Sequence, residues 1–189
     1  MSAARGALLT MQVVESLPTL REHVAGFRNE GARGAFVPTM GNLHAGHLAL
    51  VEHARSLAER VVVSIYVNPT QFGANEDFGN YPRTLERDCQ QLAKAGADLV
   101  YTPNDVTMYP LGIHNATHLC LPAVSNLLVV HHLPGHFDGV ATVVARLFLM
   151  VAPDVSVFFR KDYQQVAVIE HMVRDLSLPV AVQSAPSVR

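Results

Sequence analysis

Two histidines three residues apart, His44 and His47, stand in the segment Pro38-Thr39-Met40-Gly41-Asn42-Leu43-His44-Ala45-Gly46-His47. On a helical turn that spacing puts both on one face. A helix start adds unpaired backbone N–H groups and the positive end of the helix dipole. Two imidazoles there can donate to phosphate oxygens as charge develops during a displacement. Gly41 and Gly46 would let the backbone approach a nucleotide closely. The competing reading is two surface histidines at an ordinary helix start, and H-x-G-H alone is a weak pattern. The strand before it and the helix after it favour phosphate chemistry.

Three further segments carry usable groups. In Asn68-Pro69-Thr70-Gln71-Phe72-Gly73 the Asn and Gln amides both donate and accept, which suits a hydroxy acid or a carboxylate. The plain alternative is a strand exit, where Asn-Pro is common. In Lys161-Asp162-Tyr163-Gln164-Gln165 the lysine can neutralise phosphate charge, and Asp162 can cap a helix or hold a ribose hydroxyl. Gln165 lies about one helical turn further on and can face the same cleft; a capped helix with a solvated lysine is the rival reading. In Pro134-Gly135-His136-Phe137-Asp138-Gly139, His136 reads as a helix-start residue before a second-site ligand. His131 and His132 nearby lack an evident third partner for a metal.

These segments need a scaffold, and the hydrophobic pattern supplies one. Ser16 is a plausible N-cap for a helix through Leu17, Leu20, Val24 and Phe27 that ends by Gly31. Gly34–Val37 reads as a buried strand ending at Pro38, and His47–Glu59 as a helix. Val61–Val67 is β-branched and almost wholly apolar, the pattern of a strand covered on both faces of a parallel sheet. Helices are expected at Pro82–Ala95, Val140–Val151 and Tyr163–Leu176. Strands are expected at Asp98–Thr102, Thr117–Leu121, Val155–Phe158 and Val180–Gln183. The alternation predicts an α/β, Rossmann-like doubly wound parallel sheet with right-handed crossovers. In such sheets ligands sit at the carboxyl ends of the strands.

Composition narrows the partners. The 189 residues carry a net charge of -2, so no global field attracts nucleic acid or an anionic membrane. No apolar run reaches the length of a membrane span, and the N-terminus is too weak for a signal peptide. Residues 1–11 read as an extension before a nucleotide-binding domain at 12–189. The two cysteines, Cys89 and Cys120, form no motif and read as reduced thiols of a cytoplasmic protein.

Taken in order, PTMGNLHAGH, VVVSIYVNPTQFGANEDFGNYPRTLERD, PGHFDGVATVV and KDYQQVAVIEHMVRDL resemble the pantothenate synthetase (pantoate–β-alanine ligase) family across residues 12–189. The resemblance implies a fold of the H-x-G-H nucleotidyltransferase type. It implies a two-step ligation: ATP and pantoate give pantoyl adenylate and pyrophosphate, with Mg²⁺ on the phosphates, and β-alanine then displaces AMP. It places ATP against Met40, Gly41, His44, Gly46, His47, Lys161, Asp162 and Val188. It places pantoate and β-alanine against Asn68, Gln71 and Gln165. Catalytic roles fall to His47, His44 and Lys161; His47 is the proton donor by resemblance, electrostatic stabilisation being the alternative. A homodimer or larger homo-oligomer is implied.

The chain also departs from the family pattern. It stops at Pro186-Ser187-Val188-Arg189, where the family continues into a smaller domain that closes over ATP. Closure protects an acyl adenylate from water, so weak or missing ligase activity is expected. Phe159-Arg160 stands where the family has Gly-Glu, and Ala45 replaces a glutamate. A phenyl ring at 159 would either intrude on the nucleotide space or face outward as a contact. Val129, Val130, Leu133, Leu111 and Leu149 are apolar where the family is polar or small. They motivate the alternative of an engineered self-assembling subunit that keeps the fold without catalysis.

Overall fold

The computed structural model describes residues 11–72, 78–121 and 135–186. The chain runs through β1 (Gln12–Val14), α1 (Leu17–Asn29), β2 (Gly34–Thr39), α2 (Ala45–Leu57) and β3 (Arg60–Ile65). A 3₁₀ turn at Pro69–Gln71 leads on to α3 (Leu85–Ala95), β4 (Leu99–Tyr101), the short α4 (Asp105–Met108) and a second 3₁₀ turn at Ile113–Asn115. After residue 134 come α5 (His136–Val151), β5 (Val155–Phe159), α6 (Tyr163–Asp175) and β6 (Ala181–Ala185). The strands form one parallel sheet in the order β1-β4-β3-β2-β5-β6. From β2 the chain winds outward first through β3 and β4, then returns to the other side through β5 and β6. The reversal falls between β2 and β5, which is where an open α/β sheet offers a ligand crevice.

The sheet is covered on both sides, as its apolar strands require. Phe36, Val62 and Phe158 face α1, α5 and α6, while Val37, Val63 and Val157 face α2 and α3. Local signals set the helix ends. Ser16 Oγ accepts from Thr19 N at 3.2 Å and starts α1. Gly96 takes the left-handed conformation, φ +85°, and stops α3.

The expected elements recur with shifted ends. Pro38 lies inside β2 instead of ending it. Its β3-side neighbour Thr39 still accepts from Tyr66 N, while pairing with β5 ends at Phe36, so the missing N–H leaves no ladder bond unmade. α5 starts at His136, four residues before the apolar run. The expected strand at Thr117–Leu121 does not form. Helix side chains take its backbone donors instead: Leu119 N donates to Thr142 Oγ1 at 2.9 Å and Leu121 N to Asp138 Oδ1 at 3.2 Å. β1 was not expected; its three residues extend the sheet only by pairing with β4. Leu111 and Leu149 are 73% and 65% exposed. Val129, Val130, His131, His132 and Leu133 lie outside the described residues, as do residues 1–10.

Candidate active site

A cleft of about 270 Å³ opens at the reversal point of the sheet. One wall is the end of β2 and the start of α2. The other is the end of β5 and the start of α6, and the 3₁₀ turn after β3 closes the side. Met40, His44, His47, Asn68, Gln71, Lys161, Asp162 and Gln165 all line it. Residues as distant in the chain as His44 and Gln165 thus meet in one place. Gly41 and Gly46 are buried and do not line it, and Val188 lies outside the described residues.

The histidines form the mouth of α2. His44 is its N-cap: Gly46 N donates to His44 Nδ1 at 3.1 Å, and His44 N donates more weakly to His47 Nδ1 at 3.4 Å. A backbone N–H can only donate, so both Nδ1 atoms are unprotonated and both rings carry hydrogen on Nε2. The rings lie 4.2 Å apart between centroids. Burial above all, with the adjoining His44 and Lys161, pulls the His47 pKa from 6.5 down to about 4. Near neutral pH His47 is therefore an uncharged N–H donor.

Of the two placements expected for the Phe159 ring, the structure shows the inward one. The ring is stacked 6.0 Å from His44 and edge-on 5.1 Å from His47. Lys161 Nζ sits 5.3 Å from the same ring centroid. Gly46 leaves room for this cluster: a Cβ there would lie 2.8 Å from His44 Cε1 and 3.2 Å from Phe159 Cε1, so both rings would have to shift.

The loop that delivers α2 is held by a residue the sequence did not single out. Asp88, in α3 and 1% exposed, accepts from Asn42 N at 2.9 Å, Leu43 N at 3.0 Å and Thr84 Oγ1 at 3.0 Å. Gly41 makes the turn at φ +83°, and a Cβ on it would stand 3.2 Å from Asp88 Oδ2.

Opposite, Gln71 is set by its surroundings. Asn68, expected to touch substrate, is 1% exposed. Its Nδ2 donates to Gln71 Oε1 at 3.2 Å and to Gly139 O at 3.3 Å, so its amide is occupied within the protein. His136 Nδ1 donates to Gln71 O at 2.7 Å, giving this histidine a supporting place under the turn. Gly139 lets α5 press on that turn: a Cβ there would lie 2.8 Å from the Thr70 carbonyl carbon. Asp162 precedes α6 without a side-chain capping bond, leaving its carboxylate on the cleft.

A family model described as pantoate-beta-alanine ligase matches residues 12–189. Pantothenate synthetase of Stenotrophomonas maltophilia (strain K279a) is 55% identical over 179 residues, covering 95% of this chain and 64% of its own length. The Xanthomonas campestris pv. campestris (strain B100) protein of that name is also 55% identical, with 63% of its length covered. The chain thus spans somewhat under two thirds of these relatives. The Thermus thermophilus pantothenate synthetase structure superposes with a TM-score of 0.86 at 49% identity, covering 95% of this chain and 63% of that one. The Francisella tularensis pantoate-beta-alanine ligase, solved with beta-gamma ATP and beta-alanine, gives 0.87 at 34% identity and covers 95% and 68%.

Proposed function

The chain belongs to the pantoate–β-alanine ligase family, and from that premise we propose that its cleft activates pantoate with ATP and passes the acyl group to β-alanine. The observation that carries this reading is the convergence of a helix start bearing two histidines, a lysine and two glutamines on one cleft. ATP enters as its Mg²⁺ complex, with the metal on the phosphates. The Nε2–H groups of His44 and His47 and the Lys161 ammonium donate to phosphate oxygens. The triphosphate's negative charge opposes the depression of the His47 pKa and moves it toward proton donation. Asp162, at the mouth of α6, accepts from a ribose hydroxyl, and Gln71 and Gln165 hold the pantoate oxygens.

Attack of the pantoate carboxylate on the α-phosphorus forms pantoyl adenylate and releases pyrophosphate. The β-alanine amine then attacks the acyl carbon, and the C–O bond to AMP breaks. Increasing negative charge on the α-phosphate is countered by Lys161 and the histidines. Release of AMP is expected to require pantoate, and pantothenate is expected to form when β-alanine is added. Release of ADP, or AMP release indifferent to pantoate, would sink the proposal, as would failure to bind pantoate in a calorimetric titration.

A further inference from the structure

We propose that Tyr109 is a positioning residue for Gln71: its hydroxyl fixes Asn68, and through Asn68 it makes the Gln71 amide present an N–H donor to the substrate. Tyr109 is 2% exposed and lies outside the family-matched site residues above. It donates to Asn68 Oδ1 at 2.8 Å, the shortest contact that oxygen makes. Thr70 Oγ1 donates to the same oxygen at 3.0 Å and Thr70 N at 3.3 Å. The tyrosine ring is itself held from behind. Arg146 Cζ lies 4.9 Å from its centroid, and the Arg146 guanidinium donates to Met108 O at 3.0 Å and Thr117 O at 3.3 Å.

The polarity of this relay is fixed at both ends by backbone groups that have no choice. The Thr70 N–H can only donate, so the Asn68 atom it meets is the oxygen. The Gly139 carbonyl can only accept, so the Asn68 atom it meets is the nitrogen. Asn68 therefore offers a donor to Gln71, and Gln71 answers with Oε1. That leaves Gln71 Nε2 on the far side, where it meets Met40 Sδ at 3.1 Å on the cleft wall. A thioether is a weak acceptor. A carboxylate or hydroxyl oxygen displaces it readily, whereas a substrate group that only donates finds no partner there. Loss of the tyrosine hydroxyl removes the shortest of the three bonds on Asn68 Oδ1 and gives the Asn68 amide, and Gln71 with it, a wider torsional range about the same polarity.

The ligand half of this inference rests on the proposed pantoate site; the amide half does not. The test is Tyr109→Phe, which keeps the ring and its packing on Arg146. The side-chain ¹⁵N–¹H signals of Gln71, assigned against Gln71→Leu, are expected to shift in the variant. Pantoate affinity should fall by about three- to tenfold, the range for one lost neutral hydrogen bond, while ATP affinity is unchanged. Asn68→Asp, which replaces the donor facing Gln71 by an acceptor, should reproduce the same selective loss. Unmoved Gln71 signals in Tyr109→Phe overturn the proposal, as does equal weakening of pantoate and ATP. If the unaltered protein binds no pantoate, the functional reading fails, and the Gln71 signals still decide whether Tyr109 governs that amide.

Discussion

Removing the Asp88 carboxylate should be among the most damaging single changes outside the apolar core. Asp88→Ala deletes the acceptor of two backbone N–H groups and one hydroxyl. Leu43 is 2% exposed, so its N–H is left without water as a ready substitute. Hydrogen bonds to a charged group contribute about 1.5–3 kcal/mol each, and an unsatisfied buried donor costs about 1–3 kcal/mol. With partial relaxation of the 40–43 loop, the net loss is about 3–5 kcal/mol. For 189 residues, each kcal/mol lowers Tm by roughly 2–4 °C, so the expected drop is about 6–20 °C. Urea and thermal unfolding followed by circular dichroism read both quantities. Asp88→Asn should fall between, because an amide keeps an acceptor but turns a donor toward one of the loop N–H groups. A Tm within 2 °C (about 0.5–1 kcal/mol) of the parent would refute the reasoning.

Other perturbations read other parts of the site. The unfolded chain protonates His47 near 6.5 whereas the folded chain resists until about 4. Stability should therefore fall as pH drops through that window, by about 1–2 kcal/mol once partial exposure is allowed for. Urea midpoints across pH, compared with His47→Gln, isolate this effect, and identical pH profiles would exclude it. Phe159→Ala rehydrates the ring of His47, so its imidazole pKa should move up toward 6.5 in an NMR titration; a value still near 4 would show that Phe159 does not screen it. Gly139→Ala drives a methyl into the Thr70 backbone and should destabilise by about 1–3 kcal/mol in urea, although alanine is the better helix former. A more stable variant would show that the turn yields freely.

Much of this arrangement is legible in the sequence. The almost wholly apolar run at Val61–Val67 required a sheet covered on both faces, and β3 lies inside such a sheet. The Gly41-to-His47 segment announced a strand-to-helix turn, since its histidines and glycines are informative at short range. What stayed hidden depends on partners distant in the chain. Asp88 sits in a charged helix and looks like a solvated face residue until Asn42 and Leu43 arrive above it. Tyr109 carries no local pattern, and its role depends on Asn68. The strand expected at Thr117–Leu121 has β-branched and apolar residues, but side-chain acceptors on α5 take its donors in place of a neighbouring strand. The sequence predicts the helix only from Val140 and gives Gly139 no role of its own; its reason for being glycine is the close approach of the Thr70 backbone, which the sequence does not show.

The seam between β2 and β5 has a kinetic consequence. Its two register pairs join Ala35 to Val155 and Phe36 to Ser156, residues 120 apart in sequence. Each flank of the seam is built from nearer neighbours: β3 follows β2 directly, and β6 follows β5. Closing a loop of that length costs entropy before the short ladder repays any of it. The flanks can thus acquire structure while the seam is still open. His44 and His47 belong to one flank, Lys161 and Gln165 to the other. Competence to bind a ligand is therefore expected late in folding, and expected to be lost early when the chain begins to open.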